Sequence, residues 1–190
     1  MNQVIEAIKT RRSVRSMKQE EPPRELIEQV LEAGTWAPNH HMTEPWRFVV
    51  ISGDERHELG GAMESALRET MKGDAQPRRE EMLRTEREKV LSAPVIIALI
   101  SSPSSGERII QQEEVIAAGA ALQNMLLAAH ALGLGAMIRT GRHSYLQPVR
   151  SYLDLKENES LVGFVYLGYQ AEPPRPTKRS PLEAKVIWRR

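Results

Sequence analysis

Cysteine is absent from this 190-residue chain, which excludes disulfide scaffolds, thiol catalysis and cysteine-ligated zinc or iron–sulfur centres in one step. The absence also fits a reducing compartment. An excess of one charge is lacking too. Lys and Arg number 26 against 25 Asp and Glu, a net charge of +1, so bulk charge points to no nucleic-acid or acidic-surface partner. Residues 1–12 hold no apolar core of signal-peptide length, and Glu6 argues against an organelle transit peptide. The most apolar stretch, residues 115–138, is interrupted by Gln123, Asn124 and His130. It therefore reads as a buried helix followed by a strand, not as a membrane span. The expectation is a cytoplasmic protein with no membrane partner.

Several familiar active sites are missing as well. No Gly-x-Gly-x-x-Gly follows a strand and no Gly-x-x-x-x-Gly-Lys-Ser/Thr occurs, so classical dinucleotide folds and P-loops lack support. There is no Gly-x-Ser-x-Gly elbow. His40 and His41 are adjacent, without the i, i+4 spacing of a helical metal pair, and no metal site is expected. The acidic residues fall mostly on charged helices, where a solvated face is the default.

What is present is an ordinary globular composition, 41% hydrophobic and 27% charged. A chain of this size buries roughly 70% of its unfolded surface and needs no staples. Apolar spacing predicts helices over 2–10, 22–34, 53–71, 77–91, 107–132 and 146–153. Continuous or β-branched apolar runs predict strands over 46–51, 94–100, 136–138 and 161–169. The helix over 77–91 is highly charged, with Met82, Val90 and Leu91 as its few apolar contacts, and reads as a solvated lid or flank. The order is one α+β domain over residues 1–190, ending in an extended, proline-bearing tail from about 171 that should lie over something. In the helix 107–132, residues such as Ala117, Ala118, Ala121, Leu122, Met125 and Leu126 set apolar groups almost all the way round. Such a helix must be buried on every side, which in a chain this short predicts a homodimer with the helix near its core.

The remaining chemistry is basic groups at backbone turns. Arg11, Arg12, Ser13 and Arg15 follow the first helix, and three guanidinium forks with a hydroxyl suit a phosphate and a neighbouring polyol. The same cluster also reads as a nucleic-acid contact or a solvated corner. Lys178 and Arg179 sit in the tail; if it folds back, the two clusters converge on one phosphate. Ile138, Arg139, Thr140 and Gly141 end a strand whose backbone N–H groups could face a ligand ring.

These clusters occur together with Ala37-Pro38-Asn39-His40-His41-Met42-Thr43-Glu44-Pro45-Trp46, Gly133-Leu134-Gly135-Ala136-Met137, Leu167-Gly168-Tyr169 and Lys178-Arg179-Ser180-Pro181-Leu182. In that order and spacing the chain resembles the nitroreductase family of FMN-dependent oxidoreductases, and its shortness is similar to the minimal, YdjA-like subgroup. The resemblance implies an α+β sandwich with a mostly antiparallel central sheet flanked by helices, an obligate homodimer, and FMN at the subunit interface. It implies FMN contacts at Arg11, Arg12, Ser13, Arg15, Trp36, His40, Ile138, Arg139, Thr140 and Arg179. Trp36 and His40 would reach the flavin of the other subunit, and Arg15 would stabilise negative charge at the pyrimidine edge. Residues Ala128, Ala129, His130, Ala131, Leu132 and Gly133 match the stretch associated with NAD(P). The implied activity is ping-pong hydride transfer from NAD(P)H through flavin N5 to a nitroaromatic, quinone or similar small electron acceptor. The cofactor carries the chemistry, so no residue is named as catalytic acid or base. A flavin reductase or dehalogenase-type enzyme dedicated to one metabolite, and a non-catalytic flavin- or nucleic-acid-binding protein, are the alternatives. One departure stands out: Met42 and Glu44 occupy positions where many relatives carry Asn and Gln, so the polar edge of the flavin loses hydrogen-bond donors.

Overall fold

The computed structural model describes residues 2–71, 76–106, 108–174 and 176–190. A short helix α1 (Gln3–Thr10), capped by the Asn2 side chain, is followed by α2 (Arg24–Thr35) and β1 (Trp46–Ser52). Next come α3 (Glu55–Thr70), α4 (Gln76–Val90), β2 (Val95–Ser101) and α5 (Gln111–Ala131). The chain ends with β3 (Gly135–Arg139), α6 (Gln147–Tyr152), β4 (Ser160–Gly168) and the tail. The element order matches the expected one, and most ends agree within a residue or two, the usual spread of helix fraying. The expected start of the long helix, Glu107, lies outside the described residues, as do residues 73–75 of the charged segment.

The four strands form one sheet in the order β1-β2-β4-β3, antiparallel at every pairing. The expected sandwich is therefore present. Every residue of β2 is buried, and its side chains alternate between two layers, as the pleat dictates. Ile96, Ala98 and Ile100 meet Leu59 and Met63 of α3 and Val149 of α6 on one face. Val95, Ile97 and Leu99 meet Ile27 and Val30 of α2 and Met125, Leu126 and Ala129 of α5 on the other. A strand covered on both faces has no polar side, which is why residues 94–100 read as a continuous apolar run.

One expectation needs correction, at α4, and burial of α5 on every side is not achieved by one chain alone. In α5, Ala117, Ala118, Ala121, Met125, Leu126 and Ala129 are buried, but Val115 and Ile116 stand exposed. One chain covers one side of this helix and leaves the other open. In α4, Met82 is exposed and Leu83 is the buried apolar residue, together with Glu86 and Val90. That inward face packs along α3, so α4 is a fixed flank. No helix among the described residues is long and apolar enough to cross a membrane.

Candidate functional site

The first basic cluster begins where α1 stops. Arg11 leaves helical geometry, and Val14 N–H donates to the carbonyl of Ala136 at 3.1 Å, which docks the segment beside β3. Gly135 is needed there, because a β-carbon on it would fall 2.8 Å from Val14 Cγ1. From the other side, Ala171 N–H donates to the carbonyl of Ser16 at 3.0 Å and starts the tail back over this segment. The result is a cleft of about 500 Å³ lined by Arg11, Arg12, Ser13, Arg15, Thr177 and Arg179, with Glu172 and two prolines at its edge. The two clusters do converge; Lys178 is not among the lining residues.

The electrostatics of this cleft are unbalanced. Among the described residues, no carboxylate lies within salt-bridge distance of Arg11, Arg12, Arg15 or Arg179. Arg12 spends one nitrogen on the carbonyls of Lys9 and Arg11, at 2.6 and 2.8 Å. Arg11 Nε is buried and has no hydrogen-bond partner among the described residues. Burial, then Arg179 and Arg12, lower the pKa of Arg11. Converging guanidiniums with an orphaned buried donor call for an anion bearing several acceptor oxygens, and a phosphate meets that requirement.

A second group lies elsewhere. His41, Met42 and Glu44 all have left-handed backbone, with φ of 53°, 53° and 46°. Such geometry is costly for non-glycine residues and persists only where surroundings enforce it. Asn39 Oδ1 accepts from Glu44 N–H at 3.0 Å, and Thr43 Oγ1 donates to the buried Glu114 of α5 at 2.8 Å. His40 Nδ1 donates to Glu113 at 2.7 Å and stacks on His41, while Trp36 is 80% exposed. Glu113 sits in the first turn of α5, whereas His130, in its last turn, lines the small cavity beside Arg11 and Arg12. At 1.5 Å per residue these ends of α5 are about 25 Å apart. Within one chain His40 is therefore remote from the arginine cleft, and Trp36 is not one of the residues that line it.

The third group ends β3. Ile138 and Thr140 lie over Gly163 of β4, where a β-carbon would fall 2.9 Å from Ile138 Cδ1 and 3.1 Å from Thr140 Cγ2. The Arg139 side chain turns to the opposite layer; its guanidinium lies 5.1 Å from the Tyr166 ring centroid and donates to the carbonyl of Lys89 at 3.3 Å.

The stretch 128–133 is mostly helix end. Gly133 has φ +75°, with Leu134 N–H donating to Ala129 and Gly133 N–H to His130, the paired bonds of a Schellman cap. Ala129 is fully buried and has no surface to give a ligand, while Ala128 and Leu132 are half-buried and pack one side on the core. His130 is the member that faces the arginine segment. Thr10 Oγ1 donates to the carbonyl of Glu6, which leaves it to accept from His130 Nε2 at 3.0 Å.

Sequence reasoning passed over Glu113, Glu114 and Thr177. The two acids carry the ordinary mark of a helix first turn, and their partners lie more than 70 residues away. A lone threonine among tail prolines carries no signal at all.

Residues 8–169 match the profile described as the nitroreductase family. A Bacillus subtilis protein, YfhC, provisionally named an NAD(P)H nitroreductase, is 30% identical over 175 residues, 92% of this chain and 88% of that protein. The solved nitroreductase-like family protein from Bacillus cereus superposes with a TM-score of 0.84 at 27% identity, covering 99% of this chain and 96% of the other. A Bacteroides fragilis nitroreductase solved with bound FMN superposes with a TM-score of 0.76 at 26% identity, with full coverage of both chains.

Proposed function

The chain belongs to the nitroreductase family, and from that premise we propose that it is an FMN-dependent oxidoreductase that takes electrons from NAD(P)H. The observation that carries the proposal is the cleft in which Arg11, Arg12 and Arg179 converge without a carboxylate partner among the described residues. Arg11, Arg12 and Arg179 would hold the FMN phosphate, with Ser13 and Thr177 beside it for the ribityl oxygens. Ile138 and Thr140 would pack against the ring, and Arg15 would supply positive charge near its pyrimidine edge. When bound, FMN supplies hydride acceptance and donation; the chain binds, orients and shields it. The acceptor is a small, flat, electron-poor molecule of the nitroaromatic or quinone class.

We further propose that the working unit is a homodimer. His40 stands about 25 Å along α5 from the arginine cleft of its own chain, and Trp36 does not line that cleft, so their use at a flavin held there calls for a second copy. Exposed apolar groups support this: Val4, Ile5 and Ile8 on α1, Val115 and Ile116 on α5, and Leu182, Ile187 and Trp188 in the tail. Exposed large apolar side chains on three elements are the kind of surface a second subunit covers. A cysteine-free chain that uses NAD(P)H fits the cytoplasm.

The test is an absorbance spectrum of the purified protein, with the released cofactor identified after denaturation, followed by anaerobic addition of NADH or NADPH. Flavin bands, FMN at about one per chain and bleaching with either nucleotide are the expected results. A colourless protein that refuses added FMN overturns the proposal.

A further inference from the structure

Both sides of the ring-facing turn are tied to the last turns of α4. Arg139, on the near side of Thr140 and Gly141, donates to the carbonyl of Lys89. His143, on the far side, donates from Nε2 to Glu86 Oε1 at 3.0 Å, and Lys89 Nζ donates to the other oxygen of the same carboxylate at 3.0 Å. Glu86 is 5% exposed, although it lies on the most highly charged helix of the chain. Just past the turn, Ser144 is buried against Met63 of α3. The arginine cleft is anchored separately, at the start of β3, through the Val14–Ala136 hydrogen bond.

We propose that the end of α4 is a clamp on residues 138–143, with Glu86 as the positioning residue that holds the flavin-facing turn independently of the phosphate cleft. The proposal rests on the FMN reading above, and extends it from which residues touch the cofactor to what sets their position. Burial works against the charge of Glu86, yet hydrogen bonds from His143 and Lys89 outweigh it and hold the carboxyl down at about 2. Glu86 is therefore an anion at any working pH. The other polar groups at the clamp are Lys89 on α4, Arg139 on β3, His143 in the turn and Tyr166 on β4. Replacing the carboxylate by an amide leaves one acceptor oxygen where there were two, so Lys89 and the His143 N–H can no longer both be satisfied, and the turn is then free to shift relative to the ring while the phosphate stays bound.

The test compares FMN binding, visible circular dichroism of the bound flavin, and its midpoint potential in wild type, Glu86→Gln, His143→Leu and His143→Gln. In Glu86→Gln, FMN affinity should stay within about threefold of wild type. Its flavin dichroism should change, and the ratio of affinities for oxidised and reduced flavin should move about tenfold, or about 30 mV for the two-electron couple. His143→Leu should reproduce these changes, and His143→Gln, whose amide N–H can still donate to Glu86, should restore the wild-type signature. Should Glu86→Gln not fold, the two His143 variants alone decide the matter. Variants that bind FMN with wild-type dichroism and potential, even at lowered melting temperature, overturn the clamp. Wild type that binds no FMN overturns the functional reading instead.

Discussion

Two groups of arginines in this molecule are built in opposite ways. Arg47 on β1 reaches Glu159 with two nitrogens, at 3.0 and 2.7 Å, and the same carboxylate accepts from Ser102 Oγ at 2.8 Å and Lys156 N–H at 3.0 Å. Both Glu159 oxygens are satisfied, and the residue is buried. Arg11, Arg12 and Arg179 meet in a cleft where, among the described residues, no carboxylate is within salt-bridge reach and the buried Arg11 Nε has no acceptor. A charge that holds a fold is compensated within the fold, because an unpaired buried ion is too costly to leave. Charges gathered and left uncompensated mark the surface where a ligand supplies the missing partner. The difference between these groups separates scaffold from site more sharply than the number of arginines does.

The largest effect should come from breaking the compensated pair. Arg47→Ala leaves the buried Glu159 carboxylate without its main partner and should cost roughly 3 kcal/mol of unfolding free energy, read by urea or thermal denaturation. The pair also sets an acid limit. The hydrogen bond from Arg47 outweighs the cost of burial, with Lys156 N–H and Ser102 adding to it, and together they hold the Glu159 carboxyl at about 2 against an ordinary 4.5. A carboxyl lowered in the folded state contributes stability that is fully present above its unfolded pKa and is lost as pH falls through the folded one. Unfolding free energy should therefore decline between about pH 4.5 and pH 2, and Arg47→Ala should flatten that slope. A slope unchanged in the variant would mean that other carboxylates, Glu86 first among them, carry the acid sensitivity.

Next in size is the uncompensated group, where substitution should do the reverse. Arg179→Ala removes a repulsive neighbour of Arg11, so the protein without ligand should unfold within about 0.5 kcal/mol of wild type. FMN affinity should fall roughly tenfold to a hundredfold, the loss of one charge-assisted contact of about 1.5–3 kcal/mol. Titration of flavin fluorescence alongside denaturation separates the two readouts. A stability loss as large as that of Arg47→Ala would place Arg179 with the scaffold and dissolve the distinction.

The same contrast explains what was legible in the sequence. The alternation of β2 between two layers follows from a continuous apolar run, and Gly133 ends α5 because only a left-handed residue closes that cap. The convergence of Arg179 on Arg11 and Arg12 was open to expectation because it needs only a tail that folds back. Pairings such as His40 with Glu113, or Glu86 with His143, were not. They join residues 73 and 57 positions apart, and each partner sits in a locally ordinary setting. The left-handed backbone at His41, Met42 and Glu44 was hidden too, since such side chains do not advertise positive φ as glycine does. On α4 the high charge obscured the helical period, so Met82 looked inward where Leu83 and Glu86 are in fact buried.

The smallest effect should come from Glu172, the one acid among the described residues that line the arginine cleft. Glu172 is exposed, and no ion pair ties it to the guanidiniums beside it. It offsets part of their field through solvent, which limits its effect to about 1 kcal/mol or less. Glu172→Gln should therefore raise FMN affinity by up to about fivefold at low salt, and the gain should shrink toward nothing as ionic strength shortens the Debye length to about 3 Å at 1 M. The stability of the unliganded protein should not rise, because the substitution removes the only negative charge that the described residues bring to an already repulsive cleft. A variant that binds FMN more weakly than wild type would show that Glu172 contacts the ligand, with the carboxylate accepting from a ribityl hydroxyl. The cleft would then be a site in which one acid is part of the recognition, and the line between compensated and uncompensated charge would run through it.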